Sequence, residues 1–228
     1  MTTAMKRGWR LGRGAAAAWA AAVVAVTAAA ATPAANPLSD APEGPPPAAT
    51  VPLVDAPSYA EALQRWRNAD ELNAWIGARF SYDRARALQL SETQRQRNGR
   101  MPIIAPPEFF ARPSGVCVDL SRFAVETLRQ ITPQARPAYL MIEFDPLTIS
   151  GETLRRHWLA VVEIDGQRWF FADSKRPGHM AGPYASTREF IAEYEQYRGR
   201  RIVAFQERDS FERRMRSAAG RQASSPRQ

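Results

Sequence analysis

Cysteine and histidine are nearly missing from this chain of 228 residues, which holds one cysteine, Cys117, and two histidines, His157 and His179. A lone cysteine excludes an internal disulfide and leaves a thiol to account for. The three residues lack the clustered spacing of zinc ligands, which argues against a metal site, and no cofactor is expected. Long apolar runs are scarce as well. The stretch from Ala15 to Ala30 is uncharged, but it is mostly alanine and short for a membrane span. Lys6, Arg7, Arg10 and Arg13 precede it, and small residues around Ala29, Ala31 and Ala35 follow, so residues 1–31 read as a cleaved secretory signal. No cysteine lies near it, which argues against a lipid anchor, and no Arg-Arg pair, which argues for the general export route. The expected location is periplasmic or secreted, with no stable membrane span after cleavage. The net charge is +8, and the leader's four cations reduce it to 8 − 4 = +4 in the mature chain. The remaining cations are scattered and no nucleic-acid motif accompanies them, so no nucleic-acid partner is expected. No internal repeat is evident.

What is there begins with residues 32–57, rich in Pro and Ala and including Pro45-Pro46-Pro47, which predict an extended linker. Residues 58–208 carry the pattern of a single domain, and 45% hydrophobic residues overall suffice for a sizeable core. Residues 209–228 are rich in Arg and Ser, which predicts a basic, disordered tail. Within the domain, Ser58-Tyr59-Ala60-Glu61 and Asn68-Ala69-Asp70-Glu71 are capping boxes that predict helices over 59–67 and 69–78. Tyr59, Leu63, Trp66, Leu72, Trp75 and Ile76 form their apolar face, read as packing. Phe80 to Asp83 is short and extended, and Tyr82 reads as a core aromatic, or else as a residue that shapes a site. Residues 84–100 are polar and Arg-rich: a solvated helix and loop, or else a flap over substrate. Ala138 to Phe144 reads as a strand, Asp145 to Arg155 as a loop, and Lys175 to Tyr184 as a loop holding His179. Ser186-Thr187-Arg188-Glu189 caps a helix to about Tyr197, and Arg201 to Phe205 reads as a last strand.

Chemistry gathers at Ser114-Gly115-Val116-Cys117-Val118-Asp119. Apolar residues recur at Val116, Leu120, Phe123, Ala124, Leu128 and Ile131, which predicts a helix that starts at this point and stops at Thr132-Pro133. Cys117 falls in its first turn, where unpaired N–H groups and the macrodipole favour thiolate over thiol. Arg156 to Ile164 reads as a strand that opens on His157. Asp165-Gly166 is a hairpin signal, and Gln167 to Ser174 the returning strand. A two-residue turn pairs Ile164 with Gln167 and sends His157 and Asp173 to opposite faces. A three-residue loop pairs Glu163 with Gln167 and sets His157 opposite Asp173. The three-residue form is expected, because it lets Asp173 hold the imidazole. Cys117, His157 and Asp173 then form a set for thiol nucleophilic catalysis: imidazole takes the thiol proton, carboxylate steadies the ring, and sulfur attacks a carbonyl. Backbone N–H groups near Cys117 are placed to hold the oxyanion.

The order and spacing resemble the transglutaminase-like superfamily, and within it the bacterial transglutaminase-like cysteine peptidases, over roughly residues 70–205. The pieces that carry the likeness are Pro107-Glu108-Phe109-Phe110, Gly115-x-Cys117-x-Asp119, His157-Trp158 and Trp169 to Asp173. The resemblance implies an α+β, papain/transglutaminase-like fold, with the Cys117 helix packed on an antiparallel sheet. It implies an exported thiol hydrolase, a peptidase or amidase, that acts through a thioester on peptides or proteins of the cell envelope. Acyl transfer to an amine, a crosslinking reaction, uses the same residues. An inactive envelope binding module is the alternative from another class. Some relatives bind calcium through acidic residues beside the cysteine; Val116 and Val118 stand there here, so no calcium is expected.

Overall fold

The computed structural model describes residues 51–99 and 101–212. The predicted leader, nearly all of the predicted linker and the tail beyond 212 lie outside the described residues. Those described belong to one compact unit of the chain, Pro33–Gln228.

Helices α1 (Tyr59–Arg65) and α2 (Ala69–Arg79) begin where the capping boxes predict. Glu61 N–H donates to Ser58 Oγ at 3.2 Å, and Glu71 N–H to Asn68 Oδ1 at 3.0 Å. The extended piece β1 (Ser81–Tyr82) follows, then two short helices, α3 (Arg84–Gln89) and α4 (Glu92–Asn98). The Pro-rich approach to the cysteine forms helix α5 (Pro106–Ala111), with prolines in its first turn where no N–H is needed. Strand β2 (Ser114–Gly115) pairs in parallel with β1 and leads into α6 (Cys117–Ile131), which ends at Thr132 as predicted.

Strands β3 (Ala138–Ile149), β4 (Glu152–Ile164), β5 (Gln167–Phe171), β6 (Ala181–Tyr184) and β7 (Ile202–Arg208) make one antiparallel sheet, ordered β6-β5-β4-β3-β7. Helix α7 (Thr187–Arg198) starts at the predicted cap, Glu189 N–H donating to Ser186 Oγ at 3.2 Å. The architecture is α+β, with α6 packed on an antiparallel sheet as expected.

The sheet is covered on both faces. On one lie Leu120, Phe123, Ala124 and Leu128 of α6, packed on Tyr139, Met141, Trp158, Ala160, Val162 and Phe171. Trp66, Trp75 and Phe109 extend this layer, confirming the helical aromatics as packing. On the other face Phe190, Ile191 and Tyr194 of α7 pack on Leu140, Ile142, Phe144, Leu159, Val161 and Phe170. Covering on both sides is why the centre of β4 reads as an unbroken apolar run rather than an alternation.

Three expectations need correction. The stretch Asp145 to Arg155 is not a loop. Strands β3 and β4 run on through it to a tight turn at Ser150-Gly151, whose positive φ values of 51° and 79° mark a turn matched to strand twist. The end of the predicted 175–184 loop is a strand, β6, at the sheet edge. The third concerns the site: the Asp165-Gly166 turn has two residues, not three. Ile164 pairs with Gln167 and Glu163 with Arg168, and φ is 53° at Asp165 and 74° at Gly166. Asp and Gly both tolerate this left-handed pair, whose twist suits the flanking strands better than the longer loop.

Candidate functional site

Cys117 is the first residue of α6, as predicted, and is 7% exposed. It opens on a cavity of about 520 Å³, within the range of small-molecule and peptide sites. Val116, Val118, Met141 and Trp158 are among the residues that line it with Cys117. Helices α3 and α4 contribute Ala87 and Arg95, and Leu90 between them also lines it, so the described part of the Arg-rich stretch is a wall of the cavity rather than a purely solvated helix. Tyr82 lines it too. Arg156 and Glu143, partners across β4 and β3, meet there at 2.9 Å.

The start of α6 is held by a carboxylate. Asp119 is fully buried and accepts four hydrogen bonds: Arg86 Nε at 2.7 Å, Arg86 Nη2 at 2.8 Å, Ile104 N–H at 2.9 Å and Val116 N–H at 3.1 Å. The last satisfies an N–H at the helix start that Val116 cannot cap with its own side chain. Arg86 also donates to the carbonyl of Pro102 at 2.7 Å and to Met101 Sδ at 3.1 Å, so the pair fixes the segment that walls the cavity. Asp119 holds the guanidinium more firmly protonated than usual. The motif Gly115-x-Cys117-x-Asp119 singles out Asp119, but its partner is one arginine among many in a polar stretch. Only the fold identifies Arg86.

His157 stands elsewhere. Its β3 partner is Ile142, and its ring lies fully buried between Phe144 and Tyr194, with ring centroids 6.4 and 6.0 Å away. Those residues belong to the α7 face. Trp158, the next residue, faces Cys117 instead. The sheet therefore separates sulfur from imidazole. His157 Nε2 donates to the backbone carbonyl of Asp173 at 3.0 Å, and Nδ1 has no hydrogen-bond partner. Neither ring nitrogen bonds the sulfur or the Asp173 carboxylate. Burial, reinforced by the charge of Arg198, lowers the imidazole pKa to about 3, so the ring is neutral at physiological pH.

Asp173 is 2% exposed and follows the end of β5, at a φ of 121° after Ala172 at 69°. The ladder ends at Phe171, before Asp173, so the expected strand pair of His157 with Asp173 does not form. Its backbone, not its carboxylate, reaches the ring. His179, the loop histidine, exchanges a 2.9 Å hydrogen bond with Ser174 Oγ through Nδ1, and burial lowers its pKa to about 4. No histidine lines the Cys117 cavity among the described residues. Nor is any cluster of three or more His, Cys, Asp or Glu placed to hold a metal among them. No described helix is long and apolar enough to cross a membrane.

No curated protein matches the chain. Among known families, the transglutaminase-like domain matches residues 61–201, which span α6 and the sheet from β3 to the end of α7. That is well over half of the chain, and the helix-borne cysteine, antiparallel sheet and family match agree: this protein belongs to the transglutaminase-like domain family.

Proposed function

We propose that this chain is an exported, thiol-dependent acyl-transfer enzyme, a peptidase or amidase with Cys117 as nucleophile. Its substrate is a peptide or protein of the cell envelope, and water releases the acyl group. The observation that carries this reading is Cys117 at the first position of α6, opening on a cavity large enough for a peptide segment. Sulfur bonds to the carbonyl carbon, the C–N bond breaks, and the amine leaves with a proton. Water then cleaves the thioester and restores the thiol. An amine in place of water gives the crosslinking reaction.

Protonating the leaving amine and activating water require an acid–base group. His157 and Asp173 are proposed for it, and the conformation described is then a resting one. His157 keeps its β3 partner, Ile142, but stands close to where pairing on both sides of β4 changes. The β4–β5 ladder stops at Ala160 and Phe171, and the β3–β4 register breaks just beyond Glu143 and Arg156.

A second reading, a catalytically silent binding domain, is favoured by the burial of His157 on the far face. Hydrolysis of p-nitrophenyl acetate separates the two. The enzyme reading expects a burst of one nitrophenolate per chain, lost in Cys117→Ala, followed by steady turnover that His157→Ala abolishes while keeping the burst. A burst with no turnover in the wild type favours the binding domain.

A further inference from the structure

We propose that Arg86 and Asp119 are a charge-balancing pair that sets the acidity of the Cys117 thiol. Asp119 stands two residues along from the cysteine in the same helical turn, fully buried, with its carboxylate folded back over the helix start to accept the Val116 N–H. A carboxylate at that place satisfies the backbone, but its charge opposes a thiolate in the same turn. The Arg86 guanidinium grips both carboxylate oxygens, at 2.7 and 2.8 Å, and its side chain is 14% exposed. The pair thus delivers the hydrogen bond without the repulsion, and leaves the helix N-terminus free to stabilise sulfur as an anion. Arg86 is a positioning residue: it acts on the thiol through Asp119 and through the Met101-Pro102 wall.

The local geometry is built around this pair. A Cβ on Gly115 would stand 3.0 Å from both Asp119 Cβ and Oδ2, so glycine at 115 is what lets the carboxylate fold back. Other charges stand around the cavity, and Asp83 and Glu108 also act on Arg86. Glu143 and Arg156 neutralise one another at 2.9 Å. Tyr82, Glu92, Arg95, Arg155, Arg208 and Glu212 complete the titratable lining, from β1, α4, β4, β7 and the segment after it.

The proposal rests on Cys117 as the reactive thiol, but its test needs no substrate turnover. The pH midpoint of Cys117 alkylation by iodoacetamide is measured on the full chain, with folding checked by circular dichroism. Asp119→Asn leaves an unbalanced cation and lowers the midpoint by about one pH unit; Arg86→Gln leaves an unbalanced anion and raises it by about as much. The double variant returns the midpoint to the wild-type value, and Arg86→Lys, which keeps the charge without the bidentate grip, returns most of it. Should Arg86→Gln not fold, the neutral double variant and Asp119→Asn still test the pair, since only the second is to be displaced. Single variants that shift the midpoint in the same direction, or leave it in place, overturn the proposal. An absent esterase activity with opposite shifts intact would defeat the enzyme reading alone.

Discussion

The two faces of the five-stranded sheet each bury polar groups, and they do so in opposite ways. Under α6, the Asp119 carboxylate is fully buried yet carries four hydrogen bonds, two of them from a bidentate arginine. Under α7, the His157 ring is equally buried but has one hydrogen bond and a bare Nδ1, and burial with the charges of Arg198 and Arg200 opposes its protonation. The first face keeps a charged pair by satisfying it. The second keeps a titratable group by suppressing its charge. The thiol belongs to the first face, where ionisation is supported, and the imidazole to the second, where it is opposed.

Breaking the α6 side has the largest expected effect. Arg86→Ala leaves the Asp119 carboxylate buried without its cation, which costs about 3–5 kcal/mol of stability. Urea denaturation measures it, and a loss below about 1 kcal/mol would mean that the pair is not sealed as described.

The α7 side is tested by acid. Burial holds folded His157 near pH 3, well below an unfolded histidine at about 6.5. Below 6.5 the unfolded state binds a proton that the folded state refuses. Stability is therefore full above about 6.5 and falls as pH drops toward 3, by up to about 1.4 kcal/mol per pH unit. His179, held near 4, adds to the same fall. His157→Phe, which keeps an aromatic ring between Phe144 and Tyr194, removes the first contribution and flattens the curve. A slope unchanged by that substitution would place His157 in water.

How much of this was legible in the sequence follows the same division. The α6 face announced itself. Two breakers at Ser114-Gly115, then apolar residues every three or four positions, locate the helix start and with it Cys117. What stands opposite His157 did not, because it hangs on one residue of turn length. Asp165-Gly166 suits both a two- and a three-residue loop, and the choice is made by twist and by pairing Ile164 with Gln167. Arg86 was illegible for another reason. Its partner lies 33 residues away, and nothing local separates it from the neighbouring arginines.

A smaller change sharpens the α6 side further. Gly115→Ala forces a Cβ to within 3.0 Å of Asp119, so the carboxylate shifts off the Val116 N–H. The expected loss is about 1–3 kcal/mol by denaturation, with slower alkylation of Cys117 at neutral pH. An unchanged protein would show that the carboxylate has room the geometry denies it.

The separation of sulfur and imidazole is tested most directly by the pH profile of Cys117 alkylation in the wild type and in His157→Phe. With the ring on the far face of the sheet, the two profiles superimpose in rate and midpoint. A midpoint displaced by about a unit, or labelling slowed about tenfold near neutral pH, would mean that His157 already stands beside the thiol, and the arrangement described here would be wrong.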